Sequence, residues 1–289
     1  MKKIILVSND DGFHAPGIMA LRKAVAGLGT TIIVAPATEQ SGTGHAITVA
    51  NPLKVKKQKF DGHCEGYMVN GTPADCVKIA SGVLLDRLPQ MVVSGINLGP
   101  NVGISVIYSG TVAAAAEGAI LGVPSMAVSL DTFVNPCWDT AVHIARRLAG
   151  EILRHGLSPA TMLNVNIPNL PLKKLRGMAV TRVGHSRFAE VFHRRTMPRG
   201  GDYYWMDGDL EPLEDVNGPG FRRRSLRRSK NYGGRAESYG QVAAVSARFA
   251  DSITDIQAVK DGFVSVTPIS FDLTNYAVMP ELKKWDLRV

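Results

Sequence analysis

The sequence predicts an α/β fold in which a doubly wound, mainly parallel sheet lies between two helical layers. Three observations carry that prediction. Short apolar, β-branched runs recur at 4–7, 30–35, 91–93, 125–130 and 162–167, the composition of strands buried on both faces. Helical stretches alternate with several of these runs, as in chains that build parallel sheets. The first three runs also stop abruptly in polar, glycine-bearing loops, and the carboxyl ends of strands are where open α/β sheets place their ligand crevice.

The first strand, 4–7, breaks into Asn9-Asp10-Asp11-Gly12, with Gly12 supplying a tight turn. Two adjacent carboxylates at the end of a central strand repel unless a cation or a proton compensates them. Oxygen ligands there suit Mg²⁺ or Mn²⁺; the same residues would equally serve as turn and capping groups. A helix is predicted over 18–28, then a strand over 30–35 that ends in the polar loop 36–45. If the two strands are neighbours, that loop and the Asp pair border one crevice. Segments 47–57 and 66–69 read as antiparallel strands. Thr72, Pro73 and Asp75 then make a helix start, with Thr72 as N-cap and proline in the first turn.

The strand near 91–93 runs into Ser94-Gly95-Ile96-Asn97, repeating the opening pattern. Tyr108-Ser109-Gly110-Thr111 leads into a small-residue helix over 112–121, whose start offers hydroxyls, free N–H groups and the positive end of a helix dipole to a phosphate; an ordinary N-cap is the competing reading. A strand over 125–130, an amphipathic helix over 140–155 and a strand over 162–167 complete the α/β part. Beyond residue 180 the character changes to strands at 203–205 and 263–268 and a short helix or docking tail over 282–287, with a Gly-, Ser- and Arg-rich tract over 207–249 that reads as an exposed hairpin or loop.

Composition narrows the function classes. With 45% apolar and 20% charged residues in 289, the chain is an ordinary globular protein able to bury a core. Cys64, Cys76 and Cys137 have no metal-ligand spacing and are odd in number, which points to a reducing, cytoplasmic setting rather than a disulfide framework. The amino-terminal apolar run is too short for a signal segment, and no later run has membrane-spanning length. Seven basic residues without an acidic one lie between Arg222 and Arg235; setting them aside takes the net charge from +8 to +1. The basicity is therefore local. With one aromatic on each side, Phe221 and Tyr232, the tract is thin for base stacking, which argues against a nucleic-acid partner.

A Walker A lysine, a G-x-S-x-G elbow and an H-E-x-x-H motif are all absent from the sequence. Asp10 with Asp11, the Ser41 loop, Asn97 and the Ser109–Thr111 segment remain, and together they make a hard-cation and phosphate site. The motifs then resemble a known family. Ser8 to Gly17, Gln40-Ser41-Gly42, Asn70 to Val77, Val93 to Asn97, Tyr108 to Val112 and Gly262 to Pro268 are similar, in order, to motifs of the SurE family of stationary-phase survival proteins, metal-dependent 5′-nucleotidases.

That resemblance implies a SurE-like, Rossmann-type three-layer α/β/α fold over residues 1–289. Its core at 1–180 would carry the active site, and 181–289 would be a C-terminal hairpin and oligomerisation extension. It implies one divalent cation, Mg²⁺ or Mn²⁺, held by Asp10, Asp11, Ser41 and Asn97. Asn9, Ser109, Gly110 and Thr111 would bind phosphate, with Asn9, Asp10 and Asp11 forming the catalytic set. It implies hydrolysis of nucleoside 5′-monophosphates, with 3′-nucleotides and polyphosphate as further substrates, in a cytoplasmic homodimer or homotetramer. Attack by water and a covalent role for Asp10 both stay open, as does proton donation by His45. Two features depart from the family: alanine within Thr111-Val112-Ala113-Ala114 where glycine is common, and an Arg-rich insertion at about 211–250. The alternative is a non-enzymatic Mg²⁺-binding signalling module, or a nucleic-acid-binding one that uses the Arg-rich tract.

Overall fold

The computed structural model describes residues 2–60, 64–213, 252–276 and 278–287. A nine-stranded sheet is ordered β3-β4-β2-β1-β5-β6-β7-β11-β8. Its strands are β1 (Ile4–Ser8), β2 (Thr30–Pro36), β3 (Val55–Phe60), β4 (Cys64–Val69), β5 (Met91–Leu98), β6 (Ser125–Asp131), β7 (Thr161–Pro168), β8 (Met178–Val180) and β11 (Val264–Ser270). Strands β4, β2, β1, β5, β6 and β7 run parallel. β3 is antiparallel to β4, and β11 is antiparallel to β7.

Burial on both faces explains the β-branched runs. Ile5, Val7, Ile33, Met91 and Val93 point into one core with helices α1 (Pro16–Val25) and α5 (Trp138–His155). Leu6, Val34 and Val92 point into the opposite core, with α2 (Pro73–Ile79) and α4 (Gly110–Ile120). The alternation of side-chain direction along a strand thus feeds two apolar layers and gives the predicted α/β/α sandwich. In α4 the residues from Gly110 to Ala119 are all buried, and its alanine run allows close approach to the sheet. A four-residue helix, α3 (Ser105–Tyr108), precedes it.

Several sequence boundaries move. α1 starts at Pro16, because proline fits the first helical turn, and ends at Val25 rather than at 28. Residues 47–54 are not strand. Thr48 and the Ala46 carbonyl bond instead to Asp75 and Thr72 at the start of α2. The first 213 residues form one compact unit together with 253–270. β11, from beyond residue 180, therefore completes the core sheet rather than belonging to a separate extension, as does α6 (Asp255–Lys260) beside it.

A two-stranded hairpin, β9 (Ser186–Thr196) with β10 (Asp202–Pro212), forms its own sheet. It includes the strand predicted at 203–205 and takes in the start of the tract predicted over 207–249. Phe192 and Met206 are cross-strand partners on one face and stand 62% and 67% exposed. The seven-residue basic cluster lies outside the described residues. In the second unit, a helix at Met279–Leu282 precedes the segment predicted as a helix or docking tail. Among the described residues no helix is long and apolar enough to cross a membrane.

Candidate active site

β1 lies inside the sheet between β2 and β5, and the turn after it carries Asn9, Asp10 and Asp11 to the carboxyl edge. Asn9 and Asp10 are buried, while Asp11 is half-buried. Asn9 Nδ2 donates to the Gly12 carbonyl at 2.9 Å and closes the turn. The Asp10 carbonyl accepts from Gln40 N at 2.8 Å, which ties the Asp pair to the loop after β2. Sequence reasoning asked for that juxtaposition, and the parallel β1–β2 pairing provides it.

On the other side, Asp10 Oδ1 accepts a short hydrogen bond from Thr111 Oγ1 at the start of α4. Gly110 makes this approach possible: a Cβ there would stand 2.8 Å from Asp10 Cβ and 3.0 Å from Oδ2. Ser109 Oγ accepts from Val112 N at 3.1 Å and is the N-cap of α4. Thr111 Oγ1 is thus spent on Asp10, whereas Ser109 Oγ accepts the capping bond and keeps its own O–H as a donor. That hydroxyl, the backbone N–H groups and the dipole are what this helix start offers an anion.

Asn97 ends β5, the neighbour of β1, with Ser94 in register with Ser8. Its Nδ2 donates to the Gly99 carbonyl at 2.7 Å, so the nitrogen faces Gly99 and Oδ1, the atom a cation would take, is the one not used in that bond. Ser41 follows Gln40, and its Oγ donates to Glu39 Oε1 at 2.7 Å. Asp10, Asp11, Ser41 and Asn97 thus come from two loops and the end of β5, all at one sheet edge.

Glu39 was not singled out from the sequence. Its carboxylate adds to the negative field at both Asp10 and Asp11. Burial, followed by the charges of Asp10 and Glu39, raises Asp11 to about 7. Burial likewise raises Asp10, against the opposing hydrogen bond from Thr111. Asn9 Oδ1, Ser8 Oγ and Ser94 Oγ are buried with no hydrogen-bond partner among the described residues. No group of three or more His, Cys, Asp or Glu side chains is placed to hold a metal among the described residues. A cation here would therefore rest on two carboxylates completed by neutral oxygens. Such an all-oxygen set, in an uncompensated negative field beside an orphaned carboxamide oxygen, fits a hard divalent cation.

His45 is turned to another task. Its Nε2 lies 2.9 Å from Glu117 Oε2, and Lys78 Nζ donates to Glu117 Oε1 at 2.8 Å. With Gly44 N on the Tyr108 carbonyl at 3.0 Å and Thr48 on Asp75, these bonds clamp loop 41–48 onto α2, α3 and α4. Glu117 sits in an otherwise small-residue helix, and its two partners lie 72 and 39 residues away in sequence. No local sequence pattern could have announced it.

The family described as Survival protein SurE matches residues 5–190. A protein of Heliobacterium modesticaldum named 5′-nucleotidase SurE is 44% identical over 97% of this chain and 91% of its own length. One of the same name from Syntrophobacter fumaroxidans is 42% identical over 98% and 99%. The crystal structure of the SurE protein from Aquifex aeolicus superposes with a TM-score of 0.72 at 36% identity, covering 97% of this chain and 98% of that one.

Proposed function

The chain belongs to the SurE family, and from that premise we propose that it is a 5′-nucleotidase, dependent on one Mg²⁺ or Mn²⁺, that converts nucleoside 5′-monophosphates to nucleoside and phosphate. The observation that carries this reading is Asp10, a buried carboxylate fixed by Thr111 at the start of α4 and flanked by Asp11 in an uncompensated negative field. Relatives named as 5′-nucleotidases over nearly the whole chain support it.

Asp10, Asp11, Ser41 and Asn97 would hold the cation. When bound, it supplies positive charge against the phosphoryl oxygens as negative charge develops on them. The protein's own residues do the rest. Thr111 keeps the Asp10 carboxylate in place, so that its orientation is set before substrate arrives. Asn9, anchored through Nδ2 to Gly12, presents its carboxamide at the same turn. The N–H groups of α4 hold phosphate by the dipole and unpaired donors of a helix start. Gly110 keeps that helix start against Asp10, so phosphate and carboxylates share one pocket. The crevice is compatible with attack by water and with attack by Asp10 itself; trapping of a phospho-enzyme would select the latter.

Two further readings belong with this proposal. The protruding hairpin, with Phe192 and Met206 side by side on one face, supports a homodimer or homotetramer, which light scattering on the purified chain would measure. The scattered cysteines support a cytoplasmic enzyme.

The test is phosphate release from a panel of 5′- and 3′-nucleoside monophosphates and polyphosphate, after EDTA treatment and again with Mn²⁺ or Mg²⁺. Release from 5′-nucleotides restored by metal is the expected result. Folded, metal-supplied protein that releases no phosphate from any of them would end the reading and return the site to cation binding alone.

A further inference from the structure

The proposed site accounts for a phosphate and a cation but leaves the nucleoside half of the substrate without a partner. Phe133 is an exposed aromatic side chain beside Asn97 at the same sheet edge. It sits on the loop joining β6 to α5, and β6 is the parallel neighbour of β5, so this loop opens at the same sheet edge as Asn97. The ring rests on Gly99: a Cβ built there would stand 2.5 Å from Phe133 Cε1 and 2.7 Å from Cζ. Gly99 has a φ of +101°, in the region that disfavours any side chain. The carbonyl of this same glycine accepts the bond from Asn97 Nδ2. One residue therefore separates the aromatic ring from the side chain of a proposed cation ligand.

Phe133 is 76% exposed, and Val134 beside it 70%. An aromatic so exposed contributes little burial energy to the fold, yet its loop is braced. Thr132 Oγ1 donates to the Val134 carbonyl at 2.5 Å and accepts from Val134 N at 3.1 Å. Asn169 fixes the far side, with Nδ2 donating to the Asn135 carbonyl at 3.2 Å and Oδ1 accepting from Cys137 N at 2.7 Å. The loop holds an exposed apolar ring against Gly99, next to Asn97, in a braced position.

We propose that Phe133 is the stacking platform for the nucleobase of the nucleoside monophosphate, a subsite that rests on the nucleotidase reading given above. Every base has a π face, so one aromatic platform tolerates all four bases while favouring the larger purine surface. The phosphate is gripped at Asn9 and α4, and the base lies along the β5–β6 edge.

The experiment compares wild type, Phe133→Ala and Phe133→Trp, each full length with Mn²⁺, on AMP, GMP, CMP and UMP. Ribose 5-phosphate and inorganic phosphate serve as competitors that lack a base. Expected for Phe133→Ala is a rise in KM of about tenfold for AMP and GMP, smaller for CMP and UMP, with kcat within about twofold. The inhibition constants of both base-free competitors stay at the wild-type value, and tryptophan restores the nucleotide KM. Equal weakening of ribose 5-phosphate and AMP would overturn the proposal, because it would mean that the ring only steadies Gly99 and Asn97. Unchanged KM values would also overturn it, including the case where the substitution shifts oligomeric state and the ring proves to be a contact between copies. A wild type that hydrolyses phosphomonoesters without regard to the base sinks the platform and leaves the phosphatase standing. One that hydrolyses none sinks the parent reading.

Discussion

Two pairs of acidic side chains lie in and beside the crevice, and they are treated in opposite ways. Asp75 and Glu117 are almost fully buried and richly bonded. Asp75 accepts from Thr48 N, Thr48 Oγ1 and Thr72 N at 2.6–2.9 Å, and Glu117 from Lys78, with His45 as its second partner. The hydrogen bonds outweigh burial and hold both below the usual carboxylate range. Asp10 and Asp11 sit at the end of β1, an interior strand, with few donors and a third carboxylate nearby, and both are pushed up. The first pair is solved by the fold itself. The second is left unsolved by it, which is how a site kept for a charged ligand differs from a clamp.

The largest effect separates the pairs outright. Asp10→Asn is expected to lower kcat/KM for AMP by about 10²–10³-fold, while thermal stability without metal stays at or above wild type, because a buried, poorly compensated charge is gone. Wild type should gain about 2.7 kcal/mol at a metal concentration 100 times Kd, and the variant should gain almost nothing. Scanning calorimetry with and without Mn²⁺ reads both halves. A variant destabilised as much as it is inactivated would erase the distinction.

Asp75→Ala tests the clamp from the other direction. It leaves the Thr48 and Thr72 amides without their acceptor and removes the reciprocal half of the capping box on α2. The expected cost is about 2–3 kcal/mol in urea unfolding, with turnover reduced far less than by Asp10→Asn. Turnover lost in full at unchanged stability would move Asp75 into the catalytic set.

The contrast also maps onto what could be read in advance. Asp10, Asp11 and the Thr72–Asp75 cap were legible because their signals are local: a strand that stops in acids, and a Ser/Thr-type cap three residues before a carboxylate. Asn97 and Ser41 were named as ligands through the family resemblance, and the parallel order β2-β1-β5 brings both to the sheet edge that carries Asp10. The Glu117–His45 contact was not legible, since 72 residues separate its partners and glutamate is an ordinary residue for a helix. β9 was missed because Arg187, Glu190, His193, Arg194 and Arg195 interrupt any apolar alternation; its partner strand, not burial, makes it a strand. The position of β11 was equally hidden, because the run at 263–268 shows a strand but not that it returns antiparallel against β7.

Acid separates the clamp from the crevice more gently. For Asp75 and Glu117 the native state holds the ionised form more easily than the unfolded chain does. Between the folded and unfolded values the unfolded chain therefore binds more protons. The stability these two contribute is fully present above their unfolded values of about 4 and is lost as pH falls through the lower folded values. Urea midpoints of the metal-free protein at pH 7, 5, 4 and 3 should rise from 7 to 5, as Asp11, raised to about 7 in the folded chain, takes up its proton, and then fall; Asp75→Asn combined with Glu117→Gln should fall less over the acid step. A parallel fall in both proteins would place the acid sensitivity elsewhere.

The smallest effect decides where His45 belongs. From the sequence it could donate a proton to the leaving group, but in the structure its Nε2 is directed at Glu117 Oε2, on the clamp side of the boundary. A half-exposed partner of a buried carboxylate that retains Lys78 should contribute about 0.5–1 kcal/mol. His45→Ala is thus expected to lower the urea midpoint slightly and to leave kcat for AMP within about twofold at each pH. General acid catalysis would instead cost about 10²-fold in kcat, and most for substrates with the poorest leaving groups, because those depend most on a proton supplied in the transition state. A nucleoside leaves as a poor alkoxide and p-nitrophenol as a good one. The ratio of the two rates therefore tells a clamp residue from a proton donor even if total activity drops. If His45→Ala spares p-nitrophenyl phosphate and cripples AMP, the histidine crosses into the active site and the division between the two acidic pairs no longer coincides with the division between structure and chemistry.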